Sequence, residues 1–404
     1  MKKDDKTGNK AAAGNPVMSL FSICCLPLTA CWLLFAAPCA LRAEGAGSTS
    51  VQILKADMSP RAMAMAGSFA AVADDVYAAQ YNPAGLGQLT LPAASAMYYT
   101  GFEDSKLQYL TFGMPAPITG LGGLEKPGMA VSAIFSQNGE FINRVLNADD
   151  TVSVGNAVSA EGTSVLAFSY GEKIFSNDVK IDAYNARFEQ YLGLSAKYIH
   201  STLLEEYSAS AFALDAGWLV KEPDLGFSFG ASLANYGSGL KYLKDSNPLP
   251  SIARLGLSWQ GDTIRDHSIL LSLEGDFYTG EKLSSLRTGM EYNFEKMFNF
   301  RLGYKAREDN SGPTMGIGAH HQGFAVDLAI SLGNKVYNTT QVAFTYQFTG
   351  WDTGKARKAR YEEQVEERPK PKKSVKPAKK APVKPKKQEP AEPIRKNSDF
   401  YWVN

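Results

Sequence analysis

The sequence of 404 residues predicts an all-β protein, built around an antiparallel β-barrel of about 14 strands of the outer-membrane kind. The first observation is a period-two alternation of apolar with small or polar residues, which recurs from about residue 94 to residue 348. The second is an N-terminal export signal. The third is the size of the alternating segments, roughly fourteen of about 9–13 residues each, which suits membrane-spanning strands. A soluble β-sandwich is the alternative fold, because alternation alone fits both.

Residues 1–43 have the pattern of a secretory signal peptide. A polar, lysine-bearing start precedes an apolar run over residues 17–40, and Ala43 supplies a small residue for cleavage. All four cysteines lie in this segment (Cys24, Cys25, Cys31 and Cys39), so cleavage would leave a chain without disulfides or thiolate metal sites. An uncleaved membrane anchor and lipidation at Cys31 are the two alternatives.

Residues 44–93 break the alternation and are predicted to form a small, partly helical hatch. The segment is rich in alanine and glycine, and Asp74-Asp75 predicts the start of a helix. Pro83 predicts that this helix stops near Tyr81. Small residues allow close packing against a lumen wall, which favours a plug inside the barrel over an exposed leader helix.

Residues 94–349 are predicted to form the barrel. In the last segment, Val342, Phe344, Tyr346 and Phe348 alternate with smaller or polar residues. In a membrane barrel the apolar face meets lipid and the small or polar face lines the lumen. Acidic strand residues are expected on the lumen face, namely Asp215, Glu274, Asp276 and Glu291. The polar stretch from Asn143 to Glu161 predicts a long excursion from the barrel, in the form of an extracellular loop.

Residues 350–404 are predicted to be a disordered, periplasmic tail rich in lysine and proline. Residues 351–404 carry 16 basic and 8 acidic side chains, whereas residues 44–350 carry 21 basic and 31 acidic ones. Frequent proline and like charge cannot build a core. An anionic envelope component such as peptidoglycan is the expected partner. Nucleic acid is not, because the tail lacks interleaved aromatic residues and export removes it from the genome.

Motifs that would indicate an enzyme fail on their context. The run from Gly226 to Gly230 matches Gly-x-Ser-x-Gly, but alternation continues through it, so Ser228 lies on a strand and not on a nucleophile elbow. His320 and His321 are adjacent in a strand and point to opposite faces. The sequence therefore predicts no catalytic residue, no metal site and no cofactor.

Several runs resemble a known family. Residues 61–67, 72–75 and 81–86 are similar to the entry motif of PorV/PorQ-type proteins, which belong with the FadL-like outer-membrane barrels for long-chain fatty acid transport. Residues 233–237, 249–257 and 300–304 resemble the same family. The resemblance covers about residues 50–348. The basic tail departs from the family, whose chains usually end at the last strand.

The resemblance implies a fourteen-stranded barrel whose lumen is plugged by an N-terminal hatch. It also implies facilitated diffusion of a long-chain fatty acid or another hydrophobic ligand, with outer-membrane lipid around the barrel. The hatch motif maps to Asn82, Pro83, Ala84 and Gly85, which are the candidate ligand and gating residues. Two other functions remain open: a PorV-like scaffold that binds secreted proteins, and a structural barrel tethered to peptidoglycan by its tail.

Overall fold

The structure is a computed structural model, and it describes residues 48–351 except 102–104, 148, 182–183, 265, 282, 308–310 and 334–337. The predicted signal peptide (residues 1–43) and nearly all of the predicted tail lie outside the described residues. The structure therefore does not test the predicted signal peptide or the predicted tail.

From residue 48 onward, where the described part of the chain begins, the hatch contains four short helical turns before the first strand. They are a 3-10 helix Gln52–Lys55, helix α1 Pro60–Ala64, helix α2 Ala78–Tyr81 and a 3-10 helix Pro83–Gln88. Ser59 caps α1, because its side chain accepts a hydrogen bond from the backbone N–H of Ala62. Helix α2 ends at Tyr81, as Pro83 predicts, but it begins at Ala78, three residues after Asp75. No helix in the described part of the chain is long and apolar enough to cross a bilayer.

Sixteen strands follow the hatch in the residues that the structure describes. Their bounds are β1 Ala93–Thr100, β2 Lys106–Pro115, β3 Gly128–Leu146, β4 Val152–Ile181, β5 Tyr184–Leu203, β6 Tyr207–Glu222, β7 Phe227–Gly237, β8 Leu240–Lys241, β9 Ser246–Asn247, β10 Ile252–Ile264, β11 His267–Tyr278, β12 Leu283–Phe294, β13 Phe298–Ala306, β14 Gly312–His321, β15 Phe324–Ser331 and β16 Thr339–Gln347.

Fourteen of these strands close into one antiparallel barrel, which confirms the predicted fold. Each strand pairs with its sequence neighbour, β7 pairs with β10, and β1 closes the sheet on β16. The short strands β8 and β9 form a separate hairpin between β7 and β10. We call the end where β1 begins and β16 finishes the proximal end, and the opposite one the distal end.

The two faces of the barrel differ as the alternation predicts. The outward face carries large exposed apolar side chains on strands all round the barrel, among them Phe135, Leu166, Leu194, Phe212, Leu257, Leu273, Phe300, Ile317, Leu328 and Phe344. The inward face carries small, polar and charged residues that are buried. All four predicted acidic residues, Asp215, Glu274, Asp276 and Glu291, are buried on this face.

Two hairpins extend beyond the barrel wall. The β3–β4 hairpin continues at the distal end as far as the pair Leu146–Val152, whereas the neighbouring pairing stops at Gln137 on one side and Glu161 on the other. The β4–β5 hairpin extends in the same way at the proximal end. The stretch from Asn143 to Glu161 thus lies beyond the wall, as the predicted excursion requires, but it is a hairpin and not an irregular loop, because apart from a turn around residues 147–151 it pairs as two strands.

Candidate functional site

The hatch runs through the lumen from the distal end to the proximal end. At the distal end the backbone N–H of Ser50 donates to the carbonyl of Pro248, in the β7–β10 connection. At the proximal end Lys221 Nζ, near the end of β6, donates to Gln88 Oε1 at 2.6 Å. Most hatch residues between these points are buried. The structure thus supports the predicted plug and not an exposed leader helix.

An arc of glycines on the barrel wall lies against the hatch, and we call it the glycine belt. It takes one lumen-facing glycine from each of β3 to β7, β10 and β12 to β14: Gly128, Gly171, Gly193, Gly217, Gly230, Gly256, Gly289, Gly303 and Gly316. A Cβ atom at any of these positions would lie within 3.4 Å of a hatch atom between Ala64 and Leu86. On β11, Glu274 pairs with Gly256 and its Oε2 accepts hydrogen bonds from the backbone N–H groups of Phe69 (3.0 Å) and Ala70 (2.7 Å). The hatch backbone therefore lies directly against the barrel wall.

The predicted motif residues Asn82, Pro83, Ala84 and Gly85 lie at the centre of this contact. Asn82 is fully buried, and its Oδ1 accepts a hydrogen bond from the backbone N–H of Ala84 at 3.2 Å. Its Nδ2 donates to the carbonyls of Ala70 (2.8 Å) in the hatch and Trp218 (3.0 Å) in β6. One amide side chain therefore caps the following helical turn and ties the hatch to the wall.

Pro83 and Ala84 face two belt glycines. A Cβ at Gly171 or Gly193 would come closer than 3.0 Å to backbone atoms of Pro83 or Ala84. Gly85 itself packs against the carbonyl of Ala73, so a side chain there would collide within the hatch. The motif thus contributes shape and hydrogen bonds, and no group in it is suited to bond making or breaking.

Charged side chains join the hatch to strands β11–β13. Arg61 makes a two-pronged contact with Glu291, with nitrogen–oxygen distances of 2.8 and 2.9 Å, and a further ion pair with Asp74 at 2.5 Å. Asp57 pairs with Lys305 at 2.6 Å and with Arg287 at 3.5 Å. Buried charges are tolerated when they are paired in this way, and removing one partner is costly.

The other side of the lumen is apolar in its distal half. We call this region the apolar chamber. Its buried residues come from the hatch, from β1 to β6, from β16 and from the β7–β10 connection: Val51, Leu54, Met58, Tyr77, Met97, Leu107, Tyr109, Ile134, Val165, Ile199, Ala209, Ala211, Ala213, Leu240, Leu249 and Ala343. Tyr77 stacks on Tyr109 with ring centroids 5.7 Å apart. The chamber is the largest buried hydrophobic cluster among the described residues, and its side chains pack against one another.

Asp215 has a structural role at the edge of this chamber. A bulge interrupts the pairing of β6 with β7, and Asn235 there has a positive φ of 60°. Asp215 Oδ1 accepts a hydrogen bond from the backbone N–H of Asn235 at 2.7 Å, and Lys197 Nζ lies 2.7 Å from Asp215 Oδ2. Asp215 thus compensates for the bulge and for the buried Lys197, and it is not left open for a permeating cation.

Concavities also lie elsewhere in the described part of the chain, and one on the outward face of β1–β3 and β15–β16 has a volume of about 680 Å³. A polar cavity of about 230 Å³ opens on the proximal side of the hatch, lined among others by Asp74, Lys221, Glu222 and Gln260. An apolar groove of about 740 Å³ lies on the outward face of β7 and β10–β13, lined by residues such as Phe227, Phe229 and Trp259. Because that groove lies on the exposed apolar face of the barrel, it is suited to lipid chains and not to a ligand inside the lumen. In the described part of the chain, no group of acidic, histidine or cysteine side chains is suited to hold a metal ion.

No protein-family model matches the sequence, and no curated protein matches it. Among solved structures, this chain is similar to the toluene transporter TbuX of Ralstonia pickettii (TM-score 0.45, 11% identity, covering 72% of this chain and 98% of that one). A second similar structure is the CymD monoaromatic hydrocarbon channel (TM-score 0.46, 11% identity, covering 72% of this chain and 97% of that one). A third is a Pseudomonas aeruginosa FadL homologue (TM-score 0.40, 12% identity, covering 72% of this chain and 98% of that one). The fold assignment rests on the strand pairing above, and the resemblance to PorV/PorQ-type proteins stays a prediction.

Proposed function

We propose that this protein is a FadL-like outer-membrane channel that passes hydrophobic small molecules by facilitated diffusion, with the hatch as its gate. A long-chain fatty acid is the ligand that the sequence resemblance implies. The observation that carries the proposal is the apolar chamber, which is the largest buried hydrophobic cluster among the described residues.

Placement in a membrane is supported by the outward face. Leu194, Phe212 and Leu214 are each more than 60% exposed, and similar side chains continue round the closed sheet. In water such a belt would far exceed the apolar patch that monomeric proteins tolerate. In lipid this apolar belt carries no free-energy penalty for exposure, and closure of the sheet leaves no strand edge with unpaired backbone groups.

Gating by the hatch is supported by how closely the hatch fits. The glycine belt and the bonds of Asn82 hold the hatch against the wall, so a ligand that crosses the barrel needs the hatch to shift. Such a shift is a change of population between two conformers and needs no chemical step. We propose Asn82, Pro83, Ala84 and Gly85 as the residues that fix the closed conformer.

Uptake of radiolabelled oleate and toluene by bacteria that produce the protein tests this function. We expect faster uptake than in cells with an empty vector, and no gain in the entry of hydrophilic sugars. Equal rates for both hydrophobic solutes with and without the protein would refute the proposal. Cation-selective conductance without hydrophobic uptake would indicate a porin instead.

A second candidate function is a scaffold for secreted proteins. The β3–β4 hairpin favours it, because residues 138–146 extend beyond the wall by roughly 30 Å at 3.4 Å per residue. Its exposed side chains include Ile142, Leu146, Val152 and Val154, which are more than half exposed. Shortening this hairpin to the level of Gln137 and Glu161 separates the two functions: it should abolish co-purification of a partner if the protein is a scaffold, and leave uptake unchanged if it is a channel.

We also propose that the tail lies in the periplasm and binds an anionic polymer such as peptidoglycan. Its support is the contrast between a basic tail and an acidic body. Protease added to intact cells should leave residues 360–400 uncut, and cleavage there would place the tail outside. Sedimentation of the protein with purified peptidoglycan, lost on truncation after Trp351, tests the partner.

A further inference from the structure

The apolar chamber already has an occupant, which is part of the chain itself. Val51, Leu54 and Met58 of the hatch are each no more than 3% exposed and pack among the chamber residues of β1 to β6. They belong to the first described stretch of the hatch, which precedes the glycine belt contacts. This stretch therefore fills the space that a hydrophobic ligand would need.

One carboxylate holds this stretch in place. Glu281, in the distal connection between β11 and β12, accepts hydrogen bonds through Oε1 from Thr49 Oγ1 and from Lys55 Nζ, both at 2.5 Å. Gln52 Nε2 lies 3.4 Å from the same oxygen. We call this group the distal latch. Its bonds are side-chain bonds at the rim of the barrel, unlike the backbone contacts of the glycine belt.

The stretch also contains backbone strain. Val51 has a φ of 52°, in the left-handed region that a β-branched residue rarely adopts. Strain of this kind persists only where surrounding contacts enforce it, and here the latch and the chamber do so. Release of the latch would let Val51 relax, so strain favours leaving the chamber.

We propose that the apolar chamber is a binding site for a compact hydrocarbon, and that residues Val51–Met58 occupy it as a built-in competitor released at the distal latch. The inference rests on the proposed function and adds the site, the ligand class and the control. The three displaced side chains contain about eleven non-hydrogen atoms, and interiors are close-packed, so the ligand that replaces them has a similar size. An aromatic hydrocarbon or the end of an acyl chain meets that requirement.

A reversible disulfide tests the competition. A Cβ built on Gly280 lies 2.9 Å from Thr49 Cγ2, which suits a bridge between cysteines at these two positions. The exported chain is predicted to be free of cysteine, so the Thr49→Cys/Gly280→Cys variant has one possible pair. The probe is 1-aminonaphthalene, whose fluorescence rises in apolar surroundings. The oxidised protein should not bind it above the detergent background, and reduction of the same sample should restore binding.

Glu281→Gln supplies the opposite change. It keeps the shape of the side chain and removes the charge, so the built-in competitor is held less firmly and the probe should bind about tenfold more tightly. Glu206→Gln is the control, since Glu206 is an exposed carboxylate at another distal turn. Equal binding by oxidised and reduced protein would overturn the inference and leave the proposed function standing, because the ligand would then bind elsewhere. Failure of every form to bind the probe would overturn the inference, and failure of hydrophobic uptake would overturn the proposed function.

Discussion

Replacing Gly193 with alanine should loosen the hatch, while the β-sheet of the barrel stays closed. The added Cβ would come closer than 3.0 Å to the backbone N of Ala84 and the backbone C of Pro83, where ordinary contacts are 3.4–4 Å. No side-chain rotation relieves a collision with backbone atoms, so the strand or the hatch must move by about 1 Å. Overpacking of this kind costs about 1–3 kcal/mol. If the hatch yields, the ratio of closed to open hatch falls by about 5- to 150-fold.

Limited proteolysis of the hatch in detergent, together with conductance in planar bilayers, measures this ratio. Gly162→Ala is the matched control, because it lies on β4 and a Cβ there would meet nothing within 4 Å. At such an open site, alanine typically stabilises a protein by about 0.4–1 kcal/mol. We expect faster cleavage and more frequent open events for the Gly193 variant alone. If both variants behave like the parent protein, the hatch does not lie against this wall.

Three other changes have defined outcomes. Arg61→Met removes the hatch partner of Glu291, which keeps its second partner Arg301 on β13. The change should therefore lower the free energy of unfolding by about 1.5–3 kcal/mol in guanidinium titrations, with a smaller loss for Arg61→Lys; no loss in either would mean that the pair contributes nothing. Hydrogen bonds from the distal latch outweigh the burial that would raise the pKa of Glu281, and they hold this pKa below its usual range. The latch is therefore formed at neutral pH and weakens as pH falls below about 4.3, so binding of naphthalene, which has no amine to protonate, should rise on acidification in the parent protein but not in Glu281→Gln. Leu121→Gln changes a side chain that is 94% exposed and should alter the unfolding free energy by no more than about 0.5 kcal/mol, so a larger loss would indicate an unseen contact.

The barrel could be predicted from the sequence because its signal is local. Alternation along β16 from Val342 to Phe348 shows two faces without reference to any other strand. The position of the hatch was also predictable, since Pro83 and the alanine-rich run mark a segment that cannot continue the strand pattern. Both inferences depend on residues close together in the chain.

The glycine belt and the distal latch could not be predicted in this way. Gly193 matters because strand pairing brings it to Pro83, and Glu281 matters because a turn far along the chain reaches Thr49. Such contacts depend on register between distant segments, which period-two alternation does not fix. The pairing of residues 143–161 as two strands was also missed, because this ribbon lies outside the wall and no buried face imposes a regular alternation on it.

Closure of the first strand on the last one has a consequence for assembly. The chain enters β1 at the proximal end, while Thr49 lies at the distal end, so the hatch cannot enter a finished barrel without pulling its own start through the whole lumen. The sheet must instead wrap around the hatch and seal along the seam between β1 and β16. We therefore expect that a barrel produced without residues 44–92 cannot be plugged by adding this segment as a separate peptide. Recovery of the closed conductance after such an addition would contradict this order of events.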